Sequence, residues 1–149
     1  MDTLEFKIES KERSGNKIPS VNIFINGKNL IDLLREYEQP FAKKEGQGTI
    51  AGSYAGMTPA DFLYWFTKAD WPSKEQRSIL TCADCGEVGC WPMIVSVSET
   101  KNSVKWFNFH QPHRKTSWDF NKFPSFEFSK EDYNIEFQKI FQVAEGKKT

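Results

Sequence analysis

Hydrophobic and polar residues alternate over two stretches near the start of the chain. The hydrophobic positions of the two stretches are Leu4, Phe6 and Ile8, then Val21, Ile23 and Ile25. A period of two places alternate side chains on opposite faces of a strand. The pattern therefore predicts two antiparallel strands with a solvated loop between them.

The spacing of the hydrophobic residues changes after Asn29. Apolar side chains now recur at intervals of three and four residues, at Leu30, Leu33, Leu34 and Tyr37. This spacing predicts a short amphipathic helix, which Asn29 caps and Pro40 ends. Four glycines then fall within residues 41–57 and predict a long loop. Thr58 followed by Pro59 is typical of the start of a second helix.

Alternation returns in the second half of the chain. The apolar run of residues 78–82 and the alternating stretches over 93–98 and 104–109 predict a meander of three consecutive strands. Residues 117–128 alternate only in pieces around Pro124, which favours an edge strand or an extended arm.

A final amphipathic helix is predicted after Ser129, a residue type that caps helices. Its apolar stripe consists of Tyr133, Phe137, Ile140, Phe141 and Ala144. Residues 145–149 are expected to form a frayed tail. Together the elements predict a single α+β domain over residues 1–149. Its mostly antiparallel sheet comprises an N-terminal strand pair and a C-terminal meander, joined by two or three helices.

Composition limits the function classes. The chain of 149 residues has 20 Lys+Arg against 20 Asp+Glu and no formal net charge, which argues against a nucleic-acid partner. Aromatic residues make up 15% of the chain, including 13 Phe and 5 Trp. This is more aromatic area than one core of this size needs. We therefore expect part of it to line a cleft or an interface.

The first residues and the cysteine count predict a cytoplasmic protein. Asp2 and Glu5 stand where a signal peptide would need a positive start, and no apolar stretch reaches membrane-spanning length. Neither secretion by that route nor a membrane partner is expected. The three cysteines, an odd number, fit reduced thiols or metal ligands better than a disulfide framework.

The cysteines form the most specific chemical motif of the sequence. Cys82 and Cys85 make a Cys-x-x-Cys pair, and Cys90 follows in a glycine-rich turn. Such a pair is the usual first half of a structural zinc site. His110 can supply the fourth ligand if a strand hairpin brings it beside Cys90. The alternative is that the cysteines are small reduced hydrophobes. Zinc is the one cofactor that the sequence suggests.

Cys90 also permits a catalytic hypothesis. The sequence around it is superficially similar to the nucleophile region of papain-like proteases, with His110 or His113 as the partner base. The context argues against this, because Pro92 follows where that nucleophile opens a long helix. A zinc-activated water near Cys90 and His113 is a second catalytic alternative.

Aromatic and basic residues are interleaved between Val104 and Phe123. Aromatic rings beside Arg or Lys hold planar and anionic ligands by stacking and charge. We predict an aromatic-lined cleft where the 46–57 loop meets the 110–118 turn. The residues expected to contact its ligand are Tyr54, Trp106, His113, Arg114 and Trp118. The alternative is an ordinary solvated rim around an aromatic core.

Several short motifs together resemble a family of small bacterial proteins. The motifs are CGEVGCWP at 85–92, VKW at 104–106, QPHR at 111–114 and the later Trp118. Further similar pieces lie at 26–27, 40–42, 45–46 and 51–54. Residues 58–77 depart from the pattern. The resemblance implies a stand-alone bacterial gene, of a kind sometimes borne on mobile gene cassettes, and it implies no particular reaction, cofactor or partner.

These observations favour a non-enzymatic cytoplasmic binding module with a small-molecule or protein partner. A homodimer formed through part of the aromatic surface is compatible with the same surplus of rings. An enzyme that uses a Cys–His pair or a zinc-activated water is the alternative hypothesis.

Overall fold

The chain begins with a long hairpin. In the computed structural model, which describes residues 1–146, strand β1 (Leu4–Arg13) pairs with β2 (Asn16–Ile25) along its whole length. The two strands are joined by Ser14 and Gly15 alone, with φ of 54° and 80°. A two-residue turn with positive φ follows the right-handed twist of a hairpin. The two predicted strands are confirmed, but their connection is a tight turn rather than a loop.

Helix α1 (Leu30–Lys44) follows the short strand β3 (Lys28–Asn29). The predicted cap is confirmed, since Asn29 Oδ1 accepts a hydrogen bond from the Ile31 amide at 2.8 Å. The prediction that Pro40 ends the helix is wrong. Pro40 lies on the exposed face, where solvent can satisfy the carbonyl that its missing N–H leaves unpaired. On the opposite face Ala42 is fully buried, and its packing holds the last turn in place.

The segment predicted as a glycine-rich loop contains two short elements. A 3-10 turn (Gly48–Ile50) is followed by strand β4 (Tyr54–Ala55). Helix α2 (Pro59–Phe62) then continues as a π-helical turn (Leu63–Lys68). Its predicted cap is confirmed, because the Thr58 hydroxyl accepts from the Asp61 amide at 3.3 Å.

The predicted meander is confirmed as the centre of a second sheet. Strands β5 (Gln76–Cys82), β6 (Met93–Glu99) and β7 (Ser103–His110) are antiparallel neighbours. Strand β4 lies at one edge, and β8 (Phe126–Ser129) pairs with β7 at the other. The first sheet has the order β1-β2-β3, so the α+β prediction with mostly antiparallel sheet is confirmed.

Helix α3 (Lys130–Ala144) joins the two sheets by packing on β1, β7 and β8. Its cap is the predicted Ser129, whose hydroxyl accepts from the Asp132 amide at 3.1 Å. The helix buries most of its predicted stripe, but Phe141 is 38% exposed. Residues 147–149 of the predicted tail lie outside the described residues. Within the described chain, no helix has the length and apolar character needed to cross a membrane.

Aromatic rings fill the core between the sheets and α3. The rings in mutual contact are Phe6, Phe62, Phe66, Trp106, Phe128, Tyr133 and Phe137. Trp106 is 0% exposed, and its indole N–H donates to the Tyr133 hydroxyl at 3.2 Å. Trp106 is therefore a core residue and offers no surface to a ligand. Much of the aromatic surplus is used for packing.

Candidate functional site

The three cysteines converge on one turn, which we call the cysteine turn (residues 82–90). Cys82 ends β5 and is buried, whereas Cys85 and Cys90 are exposed. All three sulfur atoms lie within 4.8 Å of one another. Gly86 makes this possible, because its φ of 73° turns the backbone through the left-handed region and its amide donates to the Cys82 carbonyl at 3.0 Å.

The thiols influence one another's protonation. Burial opposes ionisation of Cys82, but hydrogen bonds from the Cys85 and Asp84 amides and from the other two thiols outweigh it and lower its pKa. The hydrogen bonds to Cys85 and Cys82 raise the pKa of Cys90 to about 11. Cys82, at the base of the turn, therefore ionises more readily than an isolated thiol. Cys90, the predicted nucleophile, ionises less readily than an isolated thiol.

Two basic residues from β1 flank the cysteine turn. The Arg13 guanidinium lies so close to Gly86 that a Cβ built there would come 2.3 Å from its Nη1. Lys11 donates to the Gly56 carbonyl at 3.2 Å, and burial together with the Arg13 charge lowers the pKa of Lys11. The residues around this side of the turn enclose a small cavity of about 160 Å³. Nearby cations favour thiolates over thiols.

The histidines do not complete the group of sulfurs. His110 pairs in register with Ile94, and its Nδ1 lies 3.2 Å from the Asn108 carbonyl. His113 stacks on Trp91 with ring centres 5.7 Å apart, and its Nε2 lies 3.3 Å from the Gly89 carbonyl. Over residues 1–146, the metal-ligating group thus consists of the three thiols without His110. Neither imidazole forms the predicted Cys–His pair.

His110 fails as fourth ligand because of strand register. Strand β6 begins at Met93, so Trp91 and Pro92 lie outside the ladder. A bulge in β7 at Asn108, which has φ 52°, further turns the end of the strand. The hairpin therefore brings residue 110 opposite residue 94 rather than beside Cys90.

Arg114 and Trp118 belong to a packed cluster beside the cysteine turn. The Arg114 guanidinium lies 5.1 Å from the Trp91 ring centre and 5.9 Å from that of Trp118. Glu45, at the end of α1, accepts from Arg114 Nε at 3.1 Å and from Trp118 Nε1 at 2.9 Å. Trp118 is only 2% exposed. These contacts fasten the segment after β7 to α1.

Tyr54 belongs to a buried polar network. Its hydroxyl donates to Glu38 Oε2, while Glu38 Oε1 accepts from the Gly52 amide at 2.9 Å. Gln111 Nε2 donates to the Tyr54 oxygen at 3.2 Å and to the Pro92 carbonyl at 3.0 Å. Burial raises the pKa of Glu38 to about 7, although the hydrogen bonds from Gly52 and Tyr54 oppose the shift. We call Glu38, Tyr54 and Gln111 the Glu38 network.

Two of the side chains predicted to line a cleft between the 46–57 loop and the 110–118 turn are buried. Tyr54 is 4% exposed and is hydrogen-bonded within the Glu38 network, and Trp118 donates a hydrogen bond to Glu45. Of the predicted ligand contacts, His113 is exposed and Arg114 is half-buried, and both lie beside the cysteine turn. The acids that accept hydrogen bonds from these two side chains, Glu38 and Glu45, were not predicted as functional residues.

A local sequence pattern does mark Glu38 as a buried acid. It follows Leu30 and Leu34 at intervals of four, on the same helix face as Ala42, and all four are buried. An acid on the apolar stripe of a helix must find hydrogen-bond partners when the helix packs. No comparable local signal marks Glu45, because its partners are 69 and 73 residues away.

Comparison of the chain with protein-family models, curated proteins and solved structures finds no match. The resemblance to small bacterial proteins stays a prediction.

Proposed function

We propose that this chain is a non-enzymatic binding module whose cysteine turn holds one zinc ion. The observation that carries the proposal is the convergence of the Cys82, Cys85 and Cys90 sulfurs within 4.8 Å. Zinc–sulfur bonds are about 2.3 Å long, so sulfurs around tetrahedral zinc lie roughly 3.8 Å apart. Small side-chain rotations bring the three thiols to that separation.

The surroundings of the turn support thiolate ligands. Arg13 and Lys11 place positive charge beside Cys85 and Gly86. Cys85 and Cys90 are exposed, so an ion can enter from solvent. Zinc binding displaces the thiol protons, and the affinity is therefore expected to fall as the pH is lowered.

The consequence of metal binding is a fixed surface next to β5. The turn is fastened through Trp91 and Pro92 to the segment that carries His113 and Arg114. A metal that cross-links residues 82, 85 and 90 removes conformational freedom from this surface. In this proposal zinc positions the binding surface and takes no part in a reaction.

A catalytic zinc is the second candidate, and one observation favours it. Only three protein ligands converge within residues 1–146, which leaves a fourth position for water. The same group contains no carboxylate or imidazole that could serve as a general base. For this reason the structural role is preferred.

The test is a zinc competition titration against a chromophoric chelator, with tag-free reduced protein. We expect one equivalent of zinc per chain and protection of all three thiols from alkylation. Cys85→Ser should lose the zinc, whereas the matched variant His110→Asn should retain it because His110 lies outside the group. Less than roughly a tenth of an equivalent in the unmodified chain would overturn the proposal.

A further inference from the structure

An open groove runs along β7, on residues that the cysteine turn does not use. It is lined by Lys105 and residues 107–110 of β7 and by most residues of the segment 115–125, though not by Lys122, and its volume is about 700 Å³. We call it the β7 groove. Small-molecule sites typically measure about 300–1,000 Å³, so this groove has the size of a small organic ligand.

The bulge at Asn108 gives the β7 groove its chemistry. In a regular strand, Lys105 and Phe107 would face one side of the sheet, and Asn108 and His110 the other. Asn108 instead adopts φ 52°, and the register with β6 shifts by one residue. All four residues consequently line the same groove. A bulge that redirects side chains next to a cavity is typical of binding sites.

Hydrogen-bond donors predominate in the β7 groove. Lys105 and Lys115 bring two ammonium groups, and neither forms an ion pair within the described part of the chain. The side-chain amides of Asn108 and Asn121 and the His110 ring provide further donors. The groove is therefore a site for a ligand rich in acceptor oxygens.

One carboxylate lines the groove and a second lies beside it, and both accept hydrogen bonds from neutral groups. Asp119 lines the groove, but its Oδ1 accepts from the Asn121 amide at 2.8 Å. Glu127 is the cross-strand neighbour of Lys105, but its Oε2 accepts from the Ser103 hydroxyl at 2.8 Å. Lys105 and Lys115 outnumber Asp119 in the lining, so the groove keeps a net positive charge toward an external anion.

Aromatic rings supply an apolar part of the same groove. Phe107, Phe120 and Phe123 are half-buried and line it. The Lys105 ammonium lies 5.7 Å from the Phe107 ring centre. Rings beside ammonium groups suit a ligand with a planar apolar portion joined to an anionic group.

We propose that the β7 groove binds a small organic phosphate of mononucleotide size. Two ammonium groups and three further donors match a phosphate monoester, which carries nearly two negative charges and three acceptor oxygens. The half-buried phenylalanine rings contact the planar portion of the ligand. No residue of the cysteine turn lines the groove, so ligand binding there does not depend on zinc binding.

The direct test is calorimetric titration of the full chain with four probes, namely adenosine monophosphate, phenyl phosphate, adenosine and inorganic phosphate. We expect the first two to bind, and adenosine and inorganic phosphate to bind much more weakly, because each supplies one half of the recognition. Failure of both organic phosphates at millimolar concentration overturns the inference. Equal binding of adenosine and its monophosphate overturns the role of charge.

Three lysine variants locate the site. Lys105→Gln and Lys115→Gln should each weaken adenosine monophosphate binding by roughly tenfold, the usual effect of losing a charge-assisted contact. The matched control is Lys122→Gln, on the same segment but outside the groove lining, which should leave the affinity unchanged. Equal losses in all three variants would indicate diffuse attraction and contradict a built site.

Asn108→Gly removes the side-chain amide of Asn108 but keeps the backbone bulge, so it tests the two contributions separately. Glycine accepts the positive φ without strain, so the fold should be retained, whereas the donor is lost. We expect weaker binding of the phosphate with unchanged thermal stability.

A short single-stranded oligonucleotide that binds far more tightly than the mononucleotide would overturn the small-ligand assignment in favour of nucleic acid.

Discussion

The Glu38 network and the cysteine turn both lie next to Pro92, but the hydrogen-bond partners of their polar groups differ. Glu38, Tyr54 and Gln111 are buried, and each is hydrogen-bonded to protein partners. In the cysteine turn, the three thiols contact one another, and Cys82 also accepts from the Cys85 and Asp84 amides. Beside the turn, Trp91 Nε1 is buried without a hydrogen-bond partner in the described residues. Protein partners satisfy the first region, whereas our proposal assigns a zinc ion to the second.

The largest effect is expected when a cysteine ligand is removed. Cys85→Ser should lower zinc affinity by about a thousandfold, because two thiolates and a hydroxyl hold zinc far less tightly than three thiolates. Competition with a chelator of known affinity measures the change. Ser53→Ala, which alters a hydroxyl on a neighbouring loop, is the control and should bind zinc as the unmodified chain does. An unchanged affinity in Cys85→Ser would show that the cysteine turn does not bind the metal.

The Glu38 network should make stability depend on pH. Burial raises the pKa of Glu38 to about 7 from 4.5, so the folded chain holds a proton that the unfolded chain releases at lower pH. The stabilisation is present below the unfolded value and is lost as the pH rises through about 7. Between about pH 5 and about pH 8, the free energy of unfolding should fall by roughly 2–3 kcal/mol from this group.

Glu38→Gln tests the pH dependence, because glutamine reproduces the hydrogen bonding of the protonated acid. Denaturant unfolding at several pH values should show a flatter profile for this variant than for the unmodified chain. Glu36→Gln, an exposed acid on the same helix, should keep the original profile. Parallel profiles for Glu38→Gln and the unmodified chain would show that Glu38 does not titrate in this range.

Gly86→Ala should disturb the cysteine turn through its backbone. Alanine at φ 73° is strained, and its Cβ would displace the Arg13 guanidinium. We expect a loss of roughly 1–2 kcal/mol in unfolding free energy, together with weaker zinc binding. Gly89→Ala is the matched control, because a Cβ there meets no atom within 4 Å and φ is not positive. Equal effects of the two substitutions would indicate that the turn has no defined conformation.

The smallest effect is expected at Arg114. Arg114→Lys keeps the charge but loses the planar group that contacts Trp91, Trp118 and Glu45. The ion pair is about a quarter exposed, so the expected loss is below about 1 kcal/mol. Thermal unfolding measures it. A loss of several kcal/mol would mean that Arg114 completes a network as closed as that of Glu38.

Local patterns were enough for most of the fold. The alternation of Leu4, Phe6 and Ile8 and the caps at Asn29 and Ser129 predict their elements correctly, because strand pattern and capping depend on neighbouring residues. Pro40 misled the prediction of the end of α1, because burial of Ala42 across the helix outweighs one missing hydrogen bond.

The site was only partly predictable. The Cys-x-x-Cys pair and the nearby Cys90 predicted the group of three thiols, since their closeness follows from one short turn. The role of His110 depended on strand register and on the bulge at Asn108, neither of which has a clear local signal. Trp106 was expected in a cleft and lies in the core, because the same aromatic residue type serves both environments.

X-ray absorption at the zinc edge, on tag-free protein reconstituted with one equivalent of zinc, tests whether the cysteine turn holds the metal. The account predicts a first shell of three sulfur atoms at about 2.3 Å and one lighter atom. A shell made only of nitrogen and oxygen would contradict it, and would leave the cysteine turn as three reduced thiols with no metal.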